Sequence, residues 1–303
     1  MSEFLKEPTP ITAQLWDEDT VPLVSISCIT YNHEKYIRDA IEGFLMQKTT
    51  FPIEILIHDD ASTDNTATIV REYEVKYPQL IKPIYQTENQ YSKKDGTIGR
   101  IQRGRARGKY YATCEGDDYW TDSLKLQKQV EFLEENTDCS LCFHASKSIR
   151  NNDPNDYMLH RPKEIPKDNK FEMKDAILGG GGFMATNSMC FLRNCISDLP
   201  EWLQKAPVGD APLMLLLASK GGIGYIDDVM SVYRVMSSST SWSASMQDRF
   251  VRKIHHYAIL KMWDDFDKWS NMEFHSIVVK KKNKNKWSYF KGLMKSSFKS
   301  FIK

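Results

Sequence analysis

The stretch LVSISCITYNHEKYIRDAIEGFLMQ (23–47) indicates the fold class, because it joins a strand to a helix. LVSISCIT (23–30) is rich in β-branched and apolar residues, as expected for a strand that is covered on both faces. In the segment that follows, apolar residues recur at spacings of three and four, which places them on one face of a helix: Ile37, Ala40, Ile41, Phe44 and Leu45. The stretch therefore predicts a strand followed directly by an amphipathic helix.

The same alternation continues along the chain. IEILI (53–57) precedes a turn and the helical pattern TATIVREYEVKY, and IKPIY (81–85) precedes the basic helical stretch IGRIQRGRARG (98–108). A fourth strand begins in KYYATCEGDDYW (109–120). Strands that alternate with helices predict an α/β fold with a Rossmann-like, mostly parallel central sheet, right-handed crossovers and flanking helices.

Polar residues follow three of the predicted strands. Tyr31 and Asn32 follow the first strand, Asp60 follows the second, and EGDD (115–118) follows the fourth. In open parallel sheets, ligands bind beyond the carboxyl ends of the strands. We therefore expect these three loops to converge on one binding rim.

The three acids of the EGDD loop, Glu115, Asp117 and Asp118, repel one another unless a positive partner lies between them. A hard divalent cation such as Mg²⁺ or Mn²⁺ takes oxygen ligands and often shares them with substrate phosphates. The loop thus predicts a metal and diphosphate site. The alternative is that these acids are solvated or cap the next helix.

Composition excludes some classes of protein and places the charge unevenly. The chain has 41 basic and 40 acidic residues, which gives no overall field to attract nucleic acid. Residues 280–303, in contrast, carry nine lysines and no acid. Six cysteines, with no charged-then-apolar leader in MSEFLKEPTP, lead us to expect a reducing cytoplasm. No apolar run approaches the ~20 residues of a membrane span.

Three linked motifs resemble those of the inverting family 2 glycosyltransferases, which have the GT-A fold. They are VSISCITYNHEKYIRDAI, EILIHDDASTDNT and ARGKYYATCEGDDYW, and the likeness is strong over 22–145 and looser to about 245. It implies that Tyr31 and Asp60 bracket the base of a nucleotide-diphosphate sugar. An arginine on the segment entering the fourth strand is a candidate clamp for the diphosphate. The predicted donor-binding residues are Thr30, Tyr31, Asn32, Asp60, Arg100 and Asp117.

The resemblance also implies the metal and base residues. The family's Asp-Ser-Asp-Asp element corresponds to the EGDD loop, so that Asp117 and Asp118 become metal contacts and Glu115 replaces an aspartate. The expected cofactor is Mn²⁺ or Mg²⁺. Asp210 in PVGDAPL matches the general base that takes the proton of the acceptor hydroxyl. The alternative for Asp210 is a helix cap.

A further set of residues is predicted for the acceptor or sugar pocket: Trp120, Asn187, Ser188 and Arg234. Asn187 and Ser188 resemble a small polar pair that the family places before a buried strand. Met236 stands where the family commonly has a histidine, and methionine is a poor ligand for a hard ion. Arg234 and the serines that follow are therefore candidates for contacting phosphate in its place.

Domain limits follow from these patterns. We expect an N-terminal extension (1–21), a GT-A domain (22–240) and a helical C-terminal extension (241–303). The domain divides into a nucleotide-sugar half (22–145) and an acceptor and base half (146–240), in which the polar stretch 151–169 is expected to be a loop or insertion. In the tail, apolar residues alternate with lysines at helical spacing: Trp287, Phe290, Met294, Phe298 and Phe301. Such a helix suits an anionic membrane surface, or it packs on the body or on a second subunit.

The sequence thus predicts an inverting transferase that moves a sugar, with a UDP-sugar favoured and dTDP- or GDP-sugars as alternatives, to a glycan or lipid-linked glycan. The expected location is the cytoplasm, with peripheral contact to the inner membrane face. One rival is a sugar-nucleotide pyrophosphorylase, but SCITYNHEKY lacks the glycine-rich phosphate loop of that class. The other is a non-catalytic sugar-nucleotide-binding or scaffolding subunit, which Glu115 and Met236 favour and Asp210 opposes.

Overall fold

The computed structural model describes residues 4–17, 19–235, 246 and 248–301. Its first half contains the predicted alternation of strands and helices. The elements are β1 (Thr9–Pro10), β2 (Val24–Thr30), α1 (Ile37–Leu45), β3 (Lys48–Thr49), β4 (Ile53–Asp59), α2 (Thr66–Lys76), β5 (Ile81–Tyr85), α3 (Thr97–Arg105), β6 (Tyr110–Thr113), β7 (Tyr119–Trp120) and α4 (Lys125–Glu135).

The second half is less regular and ends in two long helices. The elements are β8 (Cys139–Arg150), β9 (Asp153–His160), β10 (Lys170–Phe171), α5 (Met173–Gly179), β11 (Cys190–Leu192), α6 (Glu201–Gln204), α7 (Asp210–Ala218), β12 (Gly222–Val235), α8 (Arg249–Trp269) and α9 (His275–Phe301). The stretch 151–169 was predicted as a loop or insertion, and the loop alternative is wrong for 153–160, which form β9 and pair antiparallel with β8.

One large sheet runs through the described residues in the order β10-β12-β8-β11-β6-β2-β4-β5. The strands β6, β2, β4 and β5 are parallel, as predicted, and β8 is parallel to β12. The sheet is mixed in its second half because the short strand β11 lies antiparallel to both β6 and β8. The α/β class with a central sheet and flanking helices is confirmed.

Burial explains why the first strand and helix form. Every residue of β2 except Ile29 is buried, as is every residue of β4, so both strands are covered on two faces. The predicted face of α1 is buried in full. One apolar cluster joins the sheet to α1, α2 and α4, and a second joins it to α5, α7 and α8.

A glycine fixes the distance between the end of β2 and the EGDD loop. A Cβ atom on Gly116 would lie 2.5 Å from Oγ1 of Thr30, so only glycine fits at this position. Gly116 N–H also donates to the carbonyl of Ile29 (2.9 Å). The loop is therefore seated directly on the carboxyl end of β2.

The C-terminal helices pack on the body. Trp263, Phe266 and Val278 belong to the apolar cluster that includes α5 and α7. Among the described residues, no helix is both long enough and apolar enough to span a bilayer. The predicted boundary at 240/241 and Met236 lie outside the described residues, so the domain limits stay a prediction.

Candidate active site

The two aspartates of the EGDD loop have different environments. Asp118 is buried, and both of its carboxylate oxygens are occupied, because Arg234 N–H donates to Oδ1 (2.8 Å) and Asn187 Nδ2 donates to Oδ2 (3.1 Å). Burial, followed by the charge of Asp117, raises the pKa of Asp118 well above its usual range. Asp118 joins the loop to β12, so the geometry gives it a structural role and does not favour the predicted metal contact.

Asp117 is the aspartate that faces the cleft. Its Oδ1 atom is buried and has no hydrogen-bond partner among the described residues. Its Oδ2 atom lies 3.9 Å from Nε2 of His33, whose Nδ1 is 3.2 Å from Oγ1 of Thr30. A buried carboxylate oxygen without a donor is what a divalent cation would complete. In the part of the chain that is described, no group of three His, Cys, Asp or Glu side chains forms a metal cage by itself. Asp117 therefore fits a cation that is shared with donor phosphates.

Glu115 borders the same space, with part of its side chain open to solvent. Loss of hydration in the cleft, then the negative charges of Asp117 and Asp210, raise the pKa of Glu115 to about 7. The two neighbouring charges show that residues 115, 117 and 210, which are far apart in sequence, share one electrostatic environment.

Asp210 is the first residue of α7, and Gly209 precedes it as the cap residue without a side-chain cap bond. Its carboxylate has no hydrogen-bond partner within the described ranges, and a Cβ on Gly181 would lie 3.0 Å from its Oδ2. The residue lines a recess with Gly180, Gly181 and four apolar side chains: Met184, Met189, Ala211 and Met214. Asp210 lies in the first turn of α7 and makes no side-chain cap hydrogen bond there.

Arg234 lies behind the acids and does not line the cleft. Its guanidinium is buried, donates to the carbonyl of Asp117 (2.7 Å) and to Oδ1 of Asn152 (2.9 Å), and pairs with Asp39. It also lies 4.3 Å from the ring centre of Tyr119. The guanidinium is thus bonded on all sides by the protein and holds the EGDD loop through Asp117, which contradicts the prediction of Arg234 in the acceptor pocket.

The other three residues predicted for that pocket are buried as well. Trp120 Nε1 donates to the carbonyl of Asn187 (2.9 Å), and the Asn187 side chain bonds Asp118 and the carbonyl of Val232 (2.9 Å). Ser188 Oγ donates to the carbonyl of Ala185 (2.6 Å). These side chains form a polar network under the loop because each finds its partners inside the protein. They support the site and do not contact the acceptor.

Tyr31, Asn32 and Asp60, which were predicted to bind the donor, lie together at the carboxyl ends of β2 and β4. Tyr31 is exposed, Asn32 has a left-handed φ of 55°, and Asp60 N–H donates to the carbonyl of Thr30 (2.9 Å), which joins two strand ends. Asn32 Oδ1 accepts from Thr63 N–H (2.7 Å). The Thr30 side chain is fully buried against Gly116 and His33, so it supports the rim and does not face a ligand.

Asp60 is buried, and its carboxylate accepts the backbone N–H groups of Gln90 (2.7 Å) and Tyr91 (3.0 Å). Each carboxylate oxygen retains a second lone pair, which can accept a hydrogen bond from a nucleotide base. The bonds also fix segment 90–91 beside the rim.

The arginines of the segment entering β6 divide into two groups. Arg105 bonds the carbonyl of Ile57 (3.5 Å) and Arg107 pairs with Glu54 (3.1 Å), so both are structural. Arg100 is exposed, and within the described residues its guanidinium bonds only Thr97 (2.7 Å), so it stays a candidate for contacting a phosphate. Burial lowers the pKa of Arg103, which has no hydrogen bond within the described residues. Arg103 is therefore a second candidate.

Sequence reasoning missed two residues at the cleft. His33 lies beside Asp117, with its Nε2 atom 3.9 Å from Oδ2 of that residue. Tyr233 is 36% exposed, and the four acids at positions 115, 117, 118 and 210 add to burial in raising the pKa of its phenol. Its place beside Arg234 on a strand, where adjacent side chains point to opposite faces, was the available signal.

Comparisons with known proteins identify the relatives of this site. The family model described as Glycosyl transferase family 2 matches residues 25–198. An uncharacterised protein of Mycobacterium tuberculosis is 38% identical over 229 residues, which is 75% of this chain and 62% of that protein. The chain thus spans less than two thirds of this relative's length. TuaG of Bacillus subtilis, whose name describes a glycosyltransferase of teichuronic acid biosynthesis, is 29% identical over 86% of this chain and 98% of its own.

Solved structures show the same fold. Staphylococcus aureus TarS 1-349, in complex with UDP-GlcNAc, superposes with a TM-score of 0.54 and 18% identity over 78% of this chain and 66% of that one. The mannosyltransferase PcManGT of Pyrobaculum calidifontis, in complex with GDP-Man and Mn²⁺, gives a TM-score of 0.59 and 15% identity over 91% of this chain and 76% of that one. The predicted GT-A fold is confirmed.

Proposed function

Because the chain belongs to glycosyl transferase family 2, we propose that it transfers a sugar from a nucleotide-diphosphate donor to a hydroxyl of a glycan acceptor, with inversion at the anomeric carbon. The observation that carries this proposal is the meeting of Glu115, Asp117 and Asp210 in one cleft beside the rim formed at Tyr31 and Asp60. Such a transfer requires an edge that binds the donor and a carboxylate that accepts the proton of the acceptor hydroxyl.

The donor side is assigned as follows. Tyr31 offers an exposed ring for stacking on the base, and Asp60 offers its remaining lone pairs. Arg100, which is exposed, and Arg103 are our candidates for contacting the diphosphate. Solved neighbours hold UDP-GlcNAc or GDP-Man, which supports the donor class. We favour a UDP-sugar, with dTDP- and GDP-sugars as alternatives.

Asp117 is the residue that would hold a divalent cation, Mn²⁺ or Mg²⁺, through its unpaired Oδ1. When bound, such a cation supplies positive charge that offsets the charge of the departing nucleoside diphosphate. Asp118 and Arg234 keep the loop in place from behind. Glu115 adds a third carboxylate to the same cleft, where the charges of Asp117 and Asp210 contribute to raising its pKa.

In the proposed step, the Asp210 carboxylate takes the proton of the acceptor hydroxyl. The freed oxygen forms a bond to the anomeric carbon while the bond from that carbon to the diphosphate oxygen breaks on the opposite face. The electron pair of the broken bond leaves with the nucleoside diphosphate. A carboxylate at the first residue of α7 is held in its ionised form by the helix dipole, as a base must be.

The test separates binding from chemistry. Thermal shifts with UDP, GDP and dTDP, each with and without Mn²⁺, report donor binding, and release of nucleoside diphosphate from the sugar donor reports turnover. We expect Asp210→Asn to lower turnover by about 100-fold or more while the thermal shift is kept. Asp198→Asn, a change of the same kind at an exposed acid, is the control.

Three results would contradict parts of the proposal. Full turnover in Asp210→Asn would remove the base assignment. A shift without any turnover in the wild type would favour the non-catalytic binding subunit. Formation of nucleoside triphosphate from sugar nucleotide and pyrophosphate would favour the pyrophosphorylase.

A further inference from the structure

Helices α8 and α9 form a hairpin that exposes large apolar side chains near one end. Phe250, Ile254 and Tyr257 of α8 are 71%, 54% and 59% exposed, and Trp287, Phe290 and Met294 of α9 are 58%, 51% and 44% exposed. We call these six residues the hairpin face. The spacings of three and four place each set of three on one stripe of its helix.

The two stripes lie on the same side of the hairpin. The rings of His256 and Tyr289 stack at 4.1 Å, so these two residues face each other across the antiparallel helices. Tyr257 and Phe290 each follow a stacked residue by one position. A residue that follows a facing residue by one position is turned by the same angle about its own helix axis. Because the two helices run in opposite directions, these turns bring both side chains to the same side of the hairpin. The hairpin face is therefore one continuous surface.

This surface is surrounded by positive charge. Helix α9 has no acidic residue over its length, and α8 has none from 249 to 262. Exposed lysines flank the apolar stripe of α9 at 284, 286 and 291, and α8 adds Arg249, Arg252 and Lys253. A row of exposed aromatic side chains among basic ones suits the boundary between lipid headgroups and acyl chains.

The sequence left three partners open for this surface: a membrane, the body of the protein or a second subunit. The structure favours one of them. The six side chains of the hairpin face are 44% to 71% exposed, so they do not pack on the described part of the body. A second copy of the chain on this face would bring two sets of lysines together without any facing acid. We propose that the hairpin face binds an anionic membrane surface, where negative lipid headgroups attract the basic residues and the aromatic side chains enter the interface.

The same helix contacts the loop beside Asp210. Lys281 of α9 is buried, and its Nζ donates to the carbonyl of Leu178 (2.9 Å) and adjoins Gly180, which has a positive φ of 63°. The next residue, Gly181, lies against Asp210. Six to thirteen residues of helix separate Lys281 from Trp287 and Met294, which is about 9–20 Å at the α-helical rise.

The membrane would therefore lie close to the acceptor side of the cleft. This step rests on the proposed function: it implies an acceptor glycan linked to a lipid, whose reacting hydroxyl is near the headgroups. The inner face of the cytoplasmic membrane, which is negatively charged, is the expected location.

Vesicle sedimentation tests the proposal with the full chain. Vesicles of phosphatidylcholine with one third phosphatidylglycerol are compared with vesicles of phosphatidylcholine alone. Each lysine near an anionic surface contributes about a five-fold gain in partitioning, so neutralising Lys284, Lys286 and Lys291 to Gln lowers binding about 100-fold. The matched control neutralises Lys76, Lys163 and Lys167, which are exposed elsewhere on the protein. Trp287→Ser with Phe290→Ser removes the apolar contribution and is expected to release the protein as well.

The nucleotide thermal shift is measured on the same samples, so the two proposals fail separately. Selective binding to the anionic vesicles that is lost in the first triple variant, with the nucleotide shift kept, supports the membrane surface. Equal binding to both vesicle types, or none to either while the nucleotide shift persists, overturns it and leaves the proposed function standing. Concentration-dependent dimerisation that Trp287→Ser abolishes, without vesicle binding, would assign the face to a second copy.

Discussion

The EGDD loop on the donor side and the glycine segment 179–182 on the acceptor side approach the same cleft but are fixed in different ways. The EGDD loop is bonded to β2 through Gly116 and to β12 through Asp118, and Arg234 holds the carbonyl of Asp117. The glycine segment has local turns, and the residue before it, Leu178, accepts a hydrogen bond from Lys281. The donor side is therefore determined by the central sheet, whereas the acceptor side depends on a C-terminal helix and can change with few substitutions.

The largest expected effect on stability comes from the donor side. Arg234→Met keeps the length of the side chain but removes the buried guanidinium and its bonds to Asp39, Asn152 and the Asp117 carbonyl. We expect the free energy of unfolding to fall by about 3 kcal/mol. Arg38→Met, at an exposed arginine paired with Glu72, should cost less than about 1 kcal/mol. Urea denaturation measures both, and equal losses would show that the loop is not fixed by Arg234.

The two neighbouring aspartates give the next comparison. Asp118→Ala leaves the N–H of Arg234 and the amide of Asn187 without an acceptor, so it should lower the free energy of unfolding by about 2 kcal/mol. Asp117→Ala removes a carboxylate that has one unpaired oxygen and should have little effect on stability. It should instead abolish the part of the nucleotide thermal shift that depends on Mn²⁺. The reverse pattern would return Asp118 to the role of metal ligand.

These two aspartates also show what the sequence could predict. The convergence of three strand-end loops follows from the alternation of strands and helices, and the structure confirms it at Asn32, Asp60 and the EGDD loop. Which of two adjacent acids turns inward is decided by Asn187 and by the backbone of Arg234, which are 69 and 116 residues away from Asp118. A single sequence contains no signal for such distant partners.

The same limit explains the acceptor pocket. The side chains of Trp120 and Asn187 are of types that often bind sugars. The Trp120 N–H, however, already donates to the buried carbonyl of Asn187, so it does not reach a ligand. The cleft residues that were missed, His33 and Tyr233, resemble ordinary structural residues in the sequence. What distinguishes His33 is its position beside the acids, which only the fold supplies, whereas the alternation of side chains along a strand was a signal for Tyr233.

On the acceptor side, Lys281 predicts a dependence of stability on pH. Burial, with a smaller effect of Lys284, lowers the pKa of Lys281 from 10.5 to about 8. Above pH 8 the unfolded chain holds a proton that the folded chain has lost, so this residue makes stability rise with pH, up to the unfolded pKa. Between pH 7.5 and 9.5 we expect the free energy of unfolding of the wild type to rise by about 2 kcal/mol relative to that of Lys281→Met. Lys286→Met, at an exposed lysine of the same helix that does not affect the pKa of Lys281, should keep the wild-type slope.

The smallest change in stability should accompany a selective loss of activity. Gly181→Ala would place a methyl group 3.0 Å from Oδ2 of Asp210, close enough to displace the carboxylate, whereas Gly182→Ala would meet nothing within 4 Å. We expect both substitutions to change the free energy of unfolding by less than about 1 kcal/mol, as is usual away from packed core positions. Only Gly181→Ala should lower turnover, by several-fold, because a general base displaced from its proton loses efficiency. Unchanged nucleotide thermal shifts in both variants would confine the effect to the acceptor side, while equal turnover would show that the position of Asp210 does not depend on the glycine segment.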